Sequence, residues 1–249
     1  MFTLHGRTLL ISDQGPTTHS MLHIGIVACS TEGAALCYRT ISLEGSQRLG
    51  RHDHPEVSLH SFSLAEYMKY IEANDWAGVA ELMLKSADKL ARAGADFLIC
   101  PDNTIHQPFD LVEHRSPRPW LHIAREVAKE AQSKNFKRLA VLGTRYLMEG
   151  PVYRDTLKAA GIEHRIPGPE QRARIDEIIF EELVNGQFLP RSLAYYVEVI
   201  RSLKDEGCDA VVLGCTEIPL LITPASSPLP TLDSTRLLAR VAVMKAIEG

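Results

Sequence analysis

The most constraining feature of this sequence is an internal repeat. Gly94-Ala95-Asp96-Phe97-Leu98-Ile99-Cys100-Pro101-Asp102-Asn103-Thr104 and Gly207-Cys208-Asp209-Ala210-Val211-Val212-Leu213-Gly214-Cys215-Thr216-Glu217 share one pattern: Gly-x-Asp, an apolar run, then a small polar cluster. Aligned without gaps, Asp102 falls on Cys215 and Asn103 on Thr216. A second pair of segments supports the first. Ile26-Val27-Ala28-Cys29 with Tyr38-Arg39 stands at one constant offset from Val141-Leu142-Gly143-Thr144 with Tyr153-Arg154. A strand, polar loop and helix written twice imply two similar domains facing each other. In open α/β sheets, ligands bind beyond the carboxyl ends of the strands, which is where all these polar loops fall.

The rest of the chain fits an α/β fold. Apolar runs predict strands over His23–Cys29, Val57–Phe62, Asp96–Cys100, Arg138–Gly143 and Cys208–Gly214. Amphipathic spacing predicts helices over Leu64–Ile71, Trp76–Ala93, Arg118–Ser133, Val152–Ala160, Arg172–Asn185 and Leu193–Glu206,. Strands followed by helices imply mostly parallel sheets covered on both faces. The expected division is a first α/β domain over 21–115 plus 225–249 and a second over 116–224. Residues 1–20 read as an extension before Met21, without the features of a signal peptide,.

Composition excludes several classes. A net charge of −4 gives no basic footprint for nucleic acid,. No apolar run approaches the ~20 residues of a membrane span. The five cysteines are odd in number and scattered, which suits a reducing cytoplasm better than a disulfide framework,. His52-Asp53-His54 lies in a polar loop and reads as solvated, so no metal is expected,.

Two facing domains, each with a polar loop, would place one ionisable group on each face of a small substrate. That geometry removes a proton from one side of a carbon and returns one to the other. Cys215 follows an apolar strand where a helix is expected to begin, so backbone N–H groups and the helix dipole are expected to favour its thiolate. Gly214 before it is expected to let the substrate approach the backbone. Cys37, Cys208 and Cys29 read as packing thiols. Asp102 is the partner that the repeat places opposite Cys215, with burial expected to raise its pKa. Cys100, two residues earlier on the same strand face, is a secondary candidate.

Leu213-Gly214-Cys215-Thr216-Glu217-Ile218-Pro219-Leu220-Leu221 resembles the second active-site signature of the aspartate/glutamate racemase family. Pro101-Asp102-Asn103-Thr104-Ile105-His106 resembles the first, in which the Asp102 position is normally cysteine. The likeness extends through Leu142-Gly143-Thr144-Arg145-Tyr146 and Asp233-Ser234-Thr235. It implies two pseudo-symmetric domains with the active site between them, no pyridoxal phosphate or other cofactor, no metal, and a homodimer. It also implies an amino-acid substrate, with aspartate and glutamate the first candidates. The acidic-substrate relatives' arginine after the second strand is missing from Leu59-His60-Ser61-Phe62-Ser63-Leu64, which leaves a neutral side chain open.

By position, Asn103, Thr104, Thr144 and Thr216 are expected to bind the substrate carboxylate and its enediolate. Ser30 and Thr31, in the loop that replaces the family's glycine-rich stretch, would add donors. Arg145 is expected to clamp an anion, and Glu217 and His106 to orient the acid/base groups or bind the ammonium. Two other functions share these residues: a single-thiol lyase or decarboxylase, and a non-catalytic protein that binds a small carboxylate.

Overall fold

The computed structural model describes residues 21–249, so the expected extension over residues 1–20 lies outside the described residues. In the first half, β1 (Ile24–Ala28), α1 (Thr31–Leu49), β2 (Val57–Ser61), α2 (Leu64–Glu72), α3 (Trp76–Arg92) and β3 (Phe97–Ile99) follow one another. Then come α4 (Phe109–Glu113), β4 (Trp120–Leu121) and α5 (Ile123–Ser133). The second half runs β5 (Arg138–Leu142), α6 (Arg145–Glu149), α7 (Pro151–Ala159), β6 (Glu163–Arg165), α8 (Pro169–Glu181), α9 (Pro190–Asp205) and β7 (Ala210–Leu213). It ends in α10 (Ile218–Leu221), β8 (Thr231–Asp233) and α11 (Ser234–Glu248).

The two sheets have the same four-stranded order, β2-β1-β3-β4 and β6-β5-β7-β8, and every strand pair is parallel. This is the architecture the repeat implies, with β1 standing for β5 and β3 for β7. Residues of β1, β3 and β7 are all buried. Strands covered on both faces read as unbroken apolar runs, which is why these were visible in the sequence.

Each half ends by lending a helix to the other. β4 pairs with β3 in the first sheet, yet Ala124, Val127, Ala128 and Ala131 of α5 pack with Leu139 and Val141 of the second. β8 pairs with β7 in the second sheet, and Leu238, Ala242 and Val243 of α11 pack on Ile24, Ile26 and Ile99 of the first. Trp120–Leu121 closes the first sheet and Thr231–Asp233 the second. Each of these strands belongs by pairing to one half while the helix after it packs on the other, where the expected division at 116 and 225 puts that helix. This exchange ties the halves together through apolar burial, which stabilises by roughly 25 cal/mol per Å².

Two long helices, α1 and α11, were not expected from the sequence. Gly33, Ser42, Gly45 and Ser46 interrupt the apolar rhythm of α1. α11 carries small residues at its buried face, Ala239, Ala242 and Ala246, which give little contrast with its exposed side. The helix expected from Arg118 begins instead at Ile123, because Trp120–Leu121 pairs as a strand first.

Candidate active site

Four loops meet where the two halves face each other. The loop after β1 carries Cys29 and Ser30, and Ser30 caps α1 by accepting from the Gly33 N–H at 3.2 Å. The loop after β3 carries Asp102, Asn103 and Thr104. After β5, Thr144 caps α6 by accepting from the Leu147 N–H at 3.3 Å. After β7 come Gly214, Cys215, Thr216 and Glu217. Together they line a cleft of about 180 Å³ that holds Asp102 and Cys215 in one wall-to-wall space.

Asp102 is fixed by the neighbouring loop. Its Oδ2 accepts from the Cys29 N–H and its Oδ1 from the Ser30 N–H, both at 3.1 Å. Burial pushes its carboxyl up to about 7, the bonds from Ser30 and Cys29 pull against that rise, and the charge of Glu217 adds to it. A carboxyl titrating near neutrality can take or give a proton at pH 7.

Cys215 behaves opposite to the expectation of a depressed pKa. Its Sγ donates to Glu217 Oε2 at 2.9 Å, and Thr216 Oγ1 donates to the same oxygen at 2.7 Å. Burial and the adjacent Glu217 carboxylate push the thiol well above its ordinary value. The helix that follows is a single turn, Ile218–Leu221, and a nearby full charge outweighs so short a dipole. Gly214 lines the cleft and also has a packing role. A Cβ there would lie 2.9 Å from the Leu142 carbonyl oxygen and 2.5 Å from Leu147 Cδ2, so its bareness lets the β5 and β7 loops close together.

Hydroxyl pairs bridge the halves in a nearly two-fold pattern. Ser30 Oγ meets Thr216 Oγ1 at 3.2 Å, and Thr104 Oγ1 meets Thr144 Oγ1 at 3.1 Å. Each pair joins a first-loop cap of one half to the second polar loop of the other. Asn103 is held on both sides: its Nδ2 donates to Ser234 Oγ at 2.9 Å, and its Oδ1 accepts from Tyr153 Oη at 2.7 Å. One amide N–H is left for a ligand. Thr31 and Glu32 open α1 at the cleft, and first-turn N–H groups of a helix lack partners within it.

Of the residues expected at the site, Cys215, Asp102, Asn103, Thr104, Thr144, Thr216, Glu217, Ser30 and Thr31 all line the cleft. Two do not. Arg145 is exposed, its backbone N–H bonded to Asp176 Oδ1 at 2.7 Å and its guanidinium 5.3 Å from the centre of the Tyr146 ring. His106 is buried behind the site, stacked on Phe109 with ring centres 5.5 Å apart. Its Nδ1 meets the Asp102 carbonyl oxygen at 2.9 Å, so it holds the Asp102 backbone and does not touch the carboxyl. Burial pushes its pKa down to about 4. Cys100 is fully buried and outside the lining, its Sγ directed at the Asp102 carbonyl at 3.7 Å.

Cys29, expected from the sequence to be a packing thiol, lines the cleft beside Asp102. The apolar wall was missed as well: Leu64, Met68 and Ile71 of α2 with Ile179 and Phe180 of α8. Their helical spacing is the same signal that core residues give.

A model of the Asp/Glu/hydantoin racemase family matches residues 26–242 of this chain. The broad specificity amino-acid racemase RacX of Bacillus subtilis is 25% identical over 194 residues, covering 77% of this chain and 82% of that protein. A candidate Asp/Glu racemase of Yersinia pestis superposes with a TM-score of 0.84 at 31% identity, covering 91% of this chain and 100% of that one. The structure of PH1733, an aspartate racemase homologue from Pyrococcus horikoshii, gives 0.80 at 28% identity over 91% and 99%.

Proposed function

We propose, on the premise that this chain belongs to the Asp/Glu/hydantoin racemase family, that it inverts the α-carbon of an amino acid with Asp102 and Cys215 as the two acid/base groups. The observation that carries this reading is their placement. They occupy equivalent positions of the two halves, line one cleft, and rest in complementary states at neutral pH. Asp102 titrates at about 7 and is available as a base; Cys215, pressed by burial and Glu217, is held as a thiol.

One enantiomer then loses its Cα proton to the Asp102 carboxylate, and the pair of electrons left on Cα delocalises into the substrate carboxylate. The thiol of Cys215 delivers its proton from the other side, leaving a thiolate and a protonated Asp102. The reverse reaction, or proton exchange with solvent, resets the pair. The enediolate is held by Ser30, Thr104, Thr144 and Thr216 with the free N–H of Asn103, aided by the N-terminus of α1. Glu32 and Glu217 balance the substrate ammonium. The unlike groups make kcat and KM differ between directions while their ratio stays matched, because racemisation has an equilibrium constant of one.

The reading includes, from the motif resemblance and the scattered cysteines of the sequence, a homodimeric cytoplasmic enzyme that uses neither pyridoxal phosphate nor metal. The family description names aspartate and glutamate, and the wall of the cleft bears below on the choice between these and an apolar amino acid. One observation favours a second reading: a thiol kept protonated by Glu217 also suits a lone proton donor in a decarboxylase. Cys215→Ser separates catalysis from binding. Loss of Cα–H exchange in D2O, with ligand binding retained, is the expected result; full activity in that variant removes Cys215 from the mechanism.

A further inference from the structure

The cleft has two chemically distinct sides. Polar groups from the four loops form one. The other is formed by Leu64, Met68 and Ile71 on α2, Ile179 and Phe180 on α8, and Val184 just beyond α8. The helices α2 and α8 follow the second strand of their respective sheets, so the apolar wall is assembled from equivalent places in the two halves. Leu64, Met68 and Ile71 sit at i, i+4 and i+7, one face of a helix. Leu64, Met68 and Phe180 are only half-buried, and Val184 is 38% exposed. Apolar surface of this kind, turned toward a concave space, gains free energy only when a ligand covers it.

Charge points the same way. Among the described residues lining the cleft, none carries a positive side chain, while Glu32, Asp102 and Glu217 are carboxylic acids. A substrate's ammonium is welcome there, and its α-carboxylate has backbone N–H and hydroxyl donors. A second carboxylate would enter a space that already holds three acids, with no cation to offset its desolvation. Arg145, the expected anion clamp, has its guanidinium over the Tyr146 ring and is not among the residues lining the cleft.

We infer that the substrate carries an apolar side chain, of the size of leucine, methionine or phenylalanine, packed against α2 and α8, and that acidic amino acids are discriminated against. This rests on the proposed Cα chemistry for its orientation, but the wall itself is independent of which groups move the proton.

The test compares L- and D-leucine, methionine and phenylalanine with L- and D-aspartate and glutamate on the purified full-length protein. Calorimetric affinity and Cα–H exchange in D2O are read side by side. The expected result is tighter binding and faster exchange for the apolar set, by at least roughly tenfold, as a filled apolar pocket and an unpaired buried carboxylate together imply. Met68→Lys, which sets an ammonium in the wall, is expected to shift preference toward glutamate. Apolar ligands that bind more tightly without exchange support this assignment and contradict the two-base reading. Aspartate or glutamate binding or exchanging faster overturns it while leaving racemisation intact. Absence of binding by the whole apolar set overturns it too.

Discussion

The hydroxyls of Ser30 and Thr216, one from each half, meet at 3.2 Å across the cleft. Three residues into α1, Gly33 makes this approach possible, since a Cβ at Gly33 would lie 2.4 Å from Thr216 Cγ2. Gly33→Ala therefore pries the halves apart at the site. Overpacking of this kind costs about 1–3 kcal/mol, and we expect it as a loss of kcat/KM larger than the change in Tm. Thr216→Ser removes the clashing methyl and keeps the hydroxyl, so the double variant should recover part of the lost activity. Steady-state kinetics on the four proteins of the cycle check this.

The pH dependence follows from Asp102. Its carboxyl is raised to about 7, so the ionised fraction grows as pH rises toward that value. Turnover in the direction that uses Asp102 as base should climb tenfold per pH unit below about 7 and level off above it,. In the other direction a Cys215 thiolate must act beside a protonated Asp102. With the thiol raised, the share of enzyme in that state also climbs up to about pH 7 and is level above it, so kcat/KM follows the same profile both ways. Stability runs the opposite way. A carboxyl raised in the folded state favours folding most at low pH, and that contribution is lost as pH rises from 3.8 to about 7,. Asp102→Asn should flatten both the rate profile and this part of the stability curve, measured by urea unfolding at each pH.

Glu217 sets the state of Cys215. Glu217→Gln removes the carboxylate that accepts from the thiol at 2.9 Å and supplies an amide able to donate to a thiolate,. The Cys215 pKa should fall, and its alkylation by iodoacetamide should accelerate by roughly tenfold for each unit of that fall as long as the pKa stays above the working pH. Peptide mass spectrometry resolves Cys215 from the other cysteines. An unchanged rate would show that burial alone holds the thiol protonated.

Tyr153 fixes the Asn103 amide from the opposite half. Its hydroxyl donates to Asn103 Oδ1 at 2.7 Å, while Asn103 Nδ2 reaches Ser234, whose hydroxyl donates to the Leu213 carbonyl at 2.9 Å. Tyr153→Phe leaves a buried acceptor unsatisfied and should cost about 1–3 kcal/mol of stability. Because the free amide N–H then loses its aim, kcat should drop with KM changing less. Thermal denaturation and kinetics on the same preparation separate the two effects.

The sequence carried the fold through the repeat: buried parallel strands such as Phe97–Ile99 and Ala210–Leu213 announce themselves as apolar runs, and their ends named Asp102 and Cys215. Trp120–Leu121, Glu163–Arg165 and Thr231–Asp233 are short strands at sheet edges, only partly buried, and so lack the apolar run that marks Phe97–Ile99. Their absence from the reading also hid the pairing of β4 and β8 in the half opposite to the helix that follows each. At the site, the residue types were legible but their mutual geometry was not. Nothing in Cys215-Thr216-Glu217 says that the glutamate turns back onto the thiol, and this reversed the expected shift. Leu64, Met68 and Ile71 fell to the same ambiguity, because the wall of a cleft and the face of a core share one helical spacing.

Asp102 and Cys215 are proposed to exchange the Cα proton from opposite sides of the α-carbon. The most direct measurement is proton NMR and chiral chromatography of a single enantiomer early in its reaction in D2O. The inverted product is expected to carry deuterium at Cα while the remaining substrate keeps its original proton. Deuterium entering the substrate pool as fast as product forms would require a single base, and loss of carbon dioxide without inversion would make Cys215 the proton donor of a decarboxylase instead.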